Sequence, residues 1–333
     1  MRALVMDGPG RLSVAERPTP GIGADDVLIK VGATGICGSD IHGAAGRTGR
    51  RHVGQVMGHE TAGTIERVGR NVVDVAAGQR VTVNPVLGCE RCRHCRAGHR
   101  HECPERSVIG VDPRWSGAFA EFMSVPATAV VPLPLSTPMI HGALIEPYAV
   151  GLHAVRRGQV SSGTQVLVIG AGPIGQAVAI TARQSGAIVV VEEISDSRAA
   201  LAKNLGFTVS SGQQDAEADH REWPVVIDAV GSSETLARAL QASAASGTVV
   251  LVGMASPTVT VDAYKVSVDE RTVVGSFAYT ADDFAATVVA AHPAVCELLV
   301  SRTVPLADAP AEFDRLASGE GVAKSVVVFG PST

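Results

Sequence analysis

The run Val166-Leu167-Val168-Ile169-Gly170-Ala171-Gly172-Pro173-Ile174-Gly175 constrains this chain more than any other: four β-type apolar residues enter G-x-G-x-x-G, and a helix-forming segment follows. A strand that meets these glycines and feeds a helix opens a doubly wound parallel sheet. The first glycine makes the turn, the second admits a pyrophosphate, and the third lets helix and strand pack closely. The helix N-terminus then offers free N–H groups to phosphate. Gly170, Gly172, Pro173, Ile174 and Gly175 are therefore candidate dinucleotide contacts. Val160 to Ala182 carries no charge and has the length of a membrane span, but its glycines and Pro173 fit a buried strand turning into a helix, not a span.

The strand and helix rhythm continues through Gln165–Ile169, Gly175–Gln184, Ile188–Val191, Ser197–Leu205, Val225–Asp228, Ser233–Ser243, Thr248–Val252 and Thr272–Phe277, which predicts an α/β Rossmann unit. Ligands of such sheets sit beyond the carboxyl ends of the strands, so Asp228, Gly253, Ser276 and Phe277 are expected to line the cofactor cleft. The second strand ends in Glu192-Glu193. A carboxylate at Glu193 can accept from both ribose hydroxyls and repels a 2′-phosphate, which favours NAD over NADP. Arg198 is the nearby cation that could instead hold that phosphate.

Residues 1 to 146 read differently: short strands such as Asp26–Val31, Gly63–Val68 and Gln79–Val83, punctuated by glycine and proline, indicate a mostly β domain. A chain of 333 residues exceeds one hydrophobic core. The expected division is a discontinuous domain of residues 1–146 and 277–333 and a dinucleotide-binding domain of residues 147–276. With 28 basic against 33 acidic residues the net charge is −5, which favours a small-molecule partner over nucleic acid or an anionic membrane. The N-terminal residues lack a signal-peptide core, so a reducing cytoplasm is the expected location.

Four of the six cysteines, Cys89, Cys92, Cys95 and Cys103, fall within 15 residues. Four thiolates with no vacant position suit a structural tetrahedral zinc. The same loop carries Arg91, Arg93, Arg96 and Arg100, which invites a zinc-ribbon, nucleic-acid reading; the acidic net charge opposes it. A second set is dispersed: Cys37-Gly38-Ser39-Asp40-Ile41-His42, Gly58-His59-Glu60 and Glu146-Pro147. One thiolate, one imidazole and one or two carboxylates leave room for water or substrate on a zinc ion, the open pattern of a catalytic site.

Taken in order over almost the full length, these motifs resemble the zinc-containing medium-chain alcohol dehydrogenases. Glu146 in Glu-Pro is similar to the sorbitol, threonine and polyol branch, where glutamate replaces a cysteine of the simple alcohol dehydrogenases. The resemblance implies a GroES-like catalytic domain beside the Rossmann domain, two zinc ions and a homo-tetramer or homo-dimer. It also implies hydride transfer between NAD(H) and a secondary alcohol or ketone of a polyol, with amino-alcohol or aminocyclitol oxidation as alternatives. Cys37 and His59 would then hold the catalytic zinc with Glu60 or Glu146, the choice between the carboxylates staying open. Ser39 would take the substrate proton and pass it through the cofactor ribose toward His42, and Asp40 would orient His59. The chain departs from the pattern in His52-Val53-Gly54-Gln55-Val56-Met57, which has no proline, and in the small, basic loop Gly43 to Arg51, which reads first as a solvated surface loop and second as a border for an anionic or strongly polar substrate. A non-catalytic NAD(H)-binding zinc protein is the rival class, but neither Ser39 nor a metal ligand is missing.

Overall fold

The Val- and Ile-rich runs of the second half become strands β10 (Gln165–Ile169), β11 (Ile188–Glu192), β12 (Thr208–Ser210), β13 (Trp223–Asp228), β14 (Ser243–Leu251) and β15 (Thr272–Gly275). They pair in the order β12-β11-β10-β13-β14-β15, all parallel, the arrangement of a dinucleotide-binding sheet. The computed structural model describes residues 1–212, 222–290 and 299–330. Residues 291–298 and 331–333 of the expected return segment, and 213–221 of the second domain, lie outside them. The chain divides into Met1–Glu146 with Thr280–Thr333, and Pro147–Tyr279.

Helix Pro173–Gln184 follows β10 directly, with Gly172 as its N-cap and Pro173 in its first turn, where a missing N–H costs nothing. Eight of its twelve residues, Gly175 to Ala182, are buried. The uncharged stretch therefore splits into strand and helix, and no helix among the described residues is long and apolar enough to cross a membrane. Two details differ from the sequence pattern. Strand β14 begins at Ser243, five residues early, because Ser243 already pairs with Trp223 before the register shifts to Thr248 opposite Val225. Strand β12 has only three partly exposed residues at the sheet edge and carries no alternation to reveal it.

In the first unit, β1 (Arg2–Gly8) and β2 (Arg11–Glu16) form a hairpin. A larger sheet runs β16-β17-β3-β4-β5-β9, with β8 also on β3. Its strands are β3 (Asp26–Gly35), β4 (Glu60–Val68), β5 (Arg80–Val83), β8 (Phe122–Pro126), β9 (Val130–Pro132), β16 (Val300–Pro305) and β17 (Lys324–Val328). A small pair, β6 (Val86–Leu87) and β7 (Ser107–Val108), flanks the cysteine loop. The return segment completes the core: Phe119 packs edge-on against Phe313, ring centroids 5.5 Å apart, within a cluster that includes Leu4, Met57 and Val327.

Candidate metal centres and nucleotide site

Register assembles the dispersed cluster. In the β3–β4 ladder Gly35 lies opposite Glu60, so the chain leaving β3 through Ile36 to Cys37 passes the start of β4, where His59 and Glu60 sit. A Cβ on Gly35 would come within 2.2 Å of Glu60 Oε2, so only glycine lets this carboxylate lie against the strand. Donor atoms of Cys37, His59 and Glu60 all fall within 4.8 Å of one another. Such separations suit bonds of about 2.0–2.3 Å from each donor to one zinc ion. Cys37 is half-buried, while His59 and Glu60 are buried. Glu60 Oε2 is a buried oxygen without a hydrogen-bond partner, while Oε1 faces the ammonium of Lys324. A half-buried thiol, a buried imidazole and an orphaned carboxylate oxygen fit a zinc ion as a donor set.

The charges around this cluster are buried too. Asp40 is fully buried: its Oδ2 accepts the Cys37 N–H at 3.2 Å, and its Oδ1 lies 3.4 Å from His59 Nδ1 and 3.2 Å from an Arg51 nitrogen. Burial alone would raise the Asp40 pKa, but His59, Arg51 and the Cys37 N–H outweigh it and hold the carboxyl below its ordinary range. For His59 burial opposes charge, yet Asp40 and Cys37 hold the ring well above the usual imidazole value. Burial likewise works against Lys324, and the charges of Glu60, Cys37 and Glu146 overcome it, raising the ammonium pKa. Glu146 is buried in the first turn of helix Ile145–Arg157 and acts electrostatically on Lys324, but it is not among the donors gathered within 4.8 Å. With Cys37 as thiolate and His59 as the neutral ring a metal requires, four negative groups (Cys37, Asp40, Glu60, Glu146) face Lys324 and Arg51. The excess of two matches a divalent cation.

Ser39 is half-buried and His42 exposed on helix Gly38–Ala44, which starts immediately after Cys37. Sequence reasoning missed Lys324 and Arg51. Lys324 is a single lysine before an apolar run, with no local signal for its place beside Glu60 264 residues earlier. Arg51 reads as one of several surface arginines.

The four-cysteine lobe is assembled locally. Cys89, Cys92, Cys95 and Cys103 present sulfurs within 4.8 Å of one another. Cys92 caps the short helix Arg93–Arg96 by accepting the Cys95 N–H at 3.4 Å, and Cys103 accepts the Cys89 N–H at 3.4 Å. All four, like Cys37, are free of disulfides. The N–H of Arg91 leads the pull of Cys89 down to about 7, whereas burial pushes Cys95 up to about 12. Four sulfurs already receiving backbone N–H bonds fit a closed tetrahedral zinc. Two of the four loop arginines form local ion pairs, Arg91 with Glu105 and Arg100 with Glu90.

In the second unit, the glycine turn borders a pocket of about 470 Å³ lined by Gly170, Gly172, Glu192, Glu193, Arg198 and Arg238 among others. Glu193 receives the Ala171 N–H at 2.8 Å, the Ser195 N–H at 2.7 Å and two Arg198 nitrogens at 2.9 and 3.0 Å. Burial would raise its pKa, but Arg198 and the two N–H groups lower it. The expected ribose acceptor thus has its acceptor sites filled by protein donors, and it anchors the glycine turn. Arg238, another residue the sequence did not single out, clamps Glu192 at 2.7–3.0 Å. Asp228 points inward, accepting the N–H groups of Val230 and Gly231 at 2.9 Å and the Thr235 hydroxyl at 2.9 Å. It shapes the strand end on which Gly253 bonds back to the Asp228 carbonyl. Ile174 lies in the first turn of helix Pro173–Gln184, Ser276 is buried and Phe277 partly exposed, both just beyond β15.

A mixed Cys/His/carboxylate centre, a closed four-cysteine lobe and a Rossmann sheet with its glycine turn define a zinc-type, nucleotide-dependent oxidoreductase. Residues 23–135 match the alcohol dehydrogenase GroES-like domain, and residues 173–292 match the zinc-binding dehydrogenase family. The chain belongs to the zinc-containing medium-chain dehydrogenases. It is 33% identical over 340 residues to L-galactonate-5-dehydrogenase of Escherichia coli K12, covering 99% of each chain. It is also 33% identical to human sorbitol dehydrogenase, over 96% of this chain and 94% of that one. A solved structure from Sinorhizobium meliloti 1021, described as a zinc-binding dehydrogenase bound to NADP, superposes with a TM-score of 0.90 at 30% identity, over 98% of this chain and 99% of that one.

Proposed function

We propose that the chain oxidises a secondary alcohol of a polyol or sugar acid, and reduces the matching ketone, using NAD(H) and two zinc ions, one catalytic and one structural. The observation that carries this reading is the buried Cys37–His59–Glu60 set with its orphaned Glu60 oxygen, in a chain that also owns a dinucleotide-binding sheet. Bound zinc supplies Lewis-acid polarisation of the substrate hydroxyl, and bound NAD supplies the hydride acceptor.

The chain's own residues do the rest. Cys37, His59 and Glu60 hold the metal, with Glu60 favoured over Glu146 because a carboxylate oxygen of Glu60 lies within 4.8 Å of the other donors and its Oε2 has no hydrogen-bond partner. Lys324 holds the second oxygen of Glu60, and Asp40 fixes His59. Ser39 takes the proton of the substrate hydroxyl as it gives up its own hydroxyl proton toward the exposed His42, whose ring passes a proton on to solvent. Cys89, Cys92, Cys95 and Cys103 hold the structural ion. The two cations able to grip a 2′-phosphate, Arg198 and Arg238, are already bound by Glu193 and Glu192, which supports NAD over NADP. The relatives named for L-galactonate and sorbitol support a polyhydroxylated substrate. Exposed Arg47 and Arg50, on the loop after the Ser39 helix, favour including its anionic sugar acids. By family analogy the chain works in the cytoplasm as a dimer or tetramer, which light scattering can count.

The test is a panel of polyols, aldonates, amino alcohols and simple alcohols, assayed by absorbance of reduced nicotinamide with NAD and NADP in parallel. Turnover confined to simple alcohols would contradict the substrate class, and equal use of both cofactors would contradict the NAD preference.

A further inference from the structure

Arg51 belongs to the basic loop that departs from the family pattern, yet unlike Arg47 and Arg50 it is buried, its side chain 2% exposed. One nitrogen donates to Asp40 Oδ1 at 3.2 Å and another to the Val111 carbonyl at 3.2 Å. Its stem crosses helix Gly38–Ala44, where a Cβ on Gly43 would meet Arg51 Cγ at 2.7 Å and Nε at 3.0 Å. The helix that carries Asp40 is thus cut away to admit the guanidinium. Asp40 accepts from Arg51 and from the Cys37 N–H, and His59 Nδ1 lies 3.4 Å from the oxygen that Arg51 touches, within ion-pair reach but without hydrogen-bond geometry.

A metal takes its histidine ligand as a neutral ring. With His59 neutral, Arg51 is the cation left in contact with the Asp40 carboxylate. We propose that Arg51 is a positioning residue for the mixed metal centre: it supplies the countercharge that keeps Asp40 seated against His59, and through Asp40 it fixes the ring so that the other nitrogen meets the metal. The proposal rests on the zinc reading given above. Removing one partner of a buried pair leaves the other uncompensated. Loss of a group that orients a ligand weakens metal binding by about 10–100-fold.

The experiment compares the zinc-loaded wild-type protein with Arg51→Met, Arg51→Lys, Asp40→Asn and the Arg51→Met/Asp40→Asn double variant. Zinc release into excess chromophoric chelator is followed, and a Cys37→Ser protein identifies the phase that belongs to the lobe. Arg51→Met should speed release from the mixed centre about 10–100-fold with the lobe phase unchanged, and Arg51→Lys should recover part of that loss. In the Asp40→Asn background the same substitution should add less than about threefold, because its path through Asp40 is already cut. With cobalt in place of zinc, the visible ligand-field bands of the mixed centre should move in Arg51→Met. Unchanged release and unchanged bands, even with a lower melting temperature, would make Arg51 a structural ion pair only and overturn the proposal. An equal effect with and without Asp40 would overturn it as well. If Arg51→Met does not fold, Arg51→Gln, which also removes the charge, carries the test, and wild-type release rates there count against the proposal. Wild-type protein that holds zinc only in the lobe would overturn the zinc reading itself, and this inference with it.

Discussion

The four-cysteine lobe draws its donors from one loop of 15 residues, whereas Cys37, His59 and Glu60 come from strand ends that meet only when β3 and β4 pair in register. The lobe has two half-buried and two buried cysteines and is steadied by N–H bonds to sulfur; in the mixed centre His59 and Glu60 are buried beside half-buried Cys37 and ringed by Asp40, Arg51, Lys324 and Glu146. A closed site needs only its own loop, so its metal acts on stability. An open site must keep donors unpartnered at a fixed spacing, and that takes a whole sheet plus charges behind the ligands.

This contrast can be broken most forcefully at Cys37. Cys37→Ser should lower turnover by at least about 100-fold and leave one zinc per chain while circular dichroism stays that of the wild type. Near-normal turnover would place the chemistry elsewhere. Next comes Lys324→Met, which strands the buried carboxylate of Glu60. Denaturant unfolding should show a loss of about 3–5 kcal/mol, and zinc should leave the mixed centre but stay in the lobe. Equal loss from both sites would erase the distinction. Cys92→Ser should act in the opposite sense: a melting temperature lower by several degrees, with turnover per folded molecule within about threefold of wild type.

The smallest effect concerns pH. The raised pKa of His59 means that below it a proton occupies the ring and must leave as zinc enters, so zinc affinity at the mixed centre should fall by up to about tenfold per pH unit for that proton once pH drops below the ring's own pKa. The lobe also gives up a proton, because burial pushes Cys95 up to about 12, while Cys89 at about 7 is largely thiolate above neutrality. Competition against a chelator at stepped pH reads both slopes, and a flat profile at the mixed centre would contradict the assignment of His59.

What the sequence displayed follows the same division. The glycine turn, the four cysteines and the β10–β11 pair are contiguous patterns, each with a local physical cause, so the fold class was legible from short windows. Cys37 and His59 were legible as residue types with no spacing of their own; their order along the chain and the family resemblance joined them. Lys324 and Arg51 were hidden, because a cation is read as surface unless its buried partner is known, and those partners are fixed by tertiary packing. Glu193 shows the converse. Its position was legible, but the two N–H groups and the guanidinium that fill its acceptor sites come from the turn and the next helix.

Crystallographic anomalous scattering at the zinc absorption edge tests the account most directly. Two peaks are expected per chain, one enclosed by the four lobe sulfurs and one bonded to Cys37 Sγ, a ring nitrogen of His59 and the free oxygen of Glu60. A single peak in the lobe, or a second one away from Cys37 and His59, would contradict it.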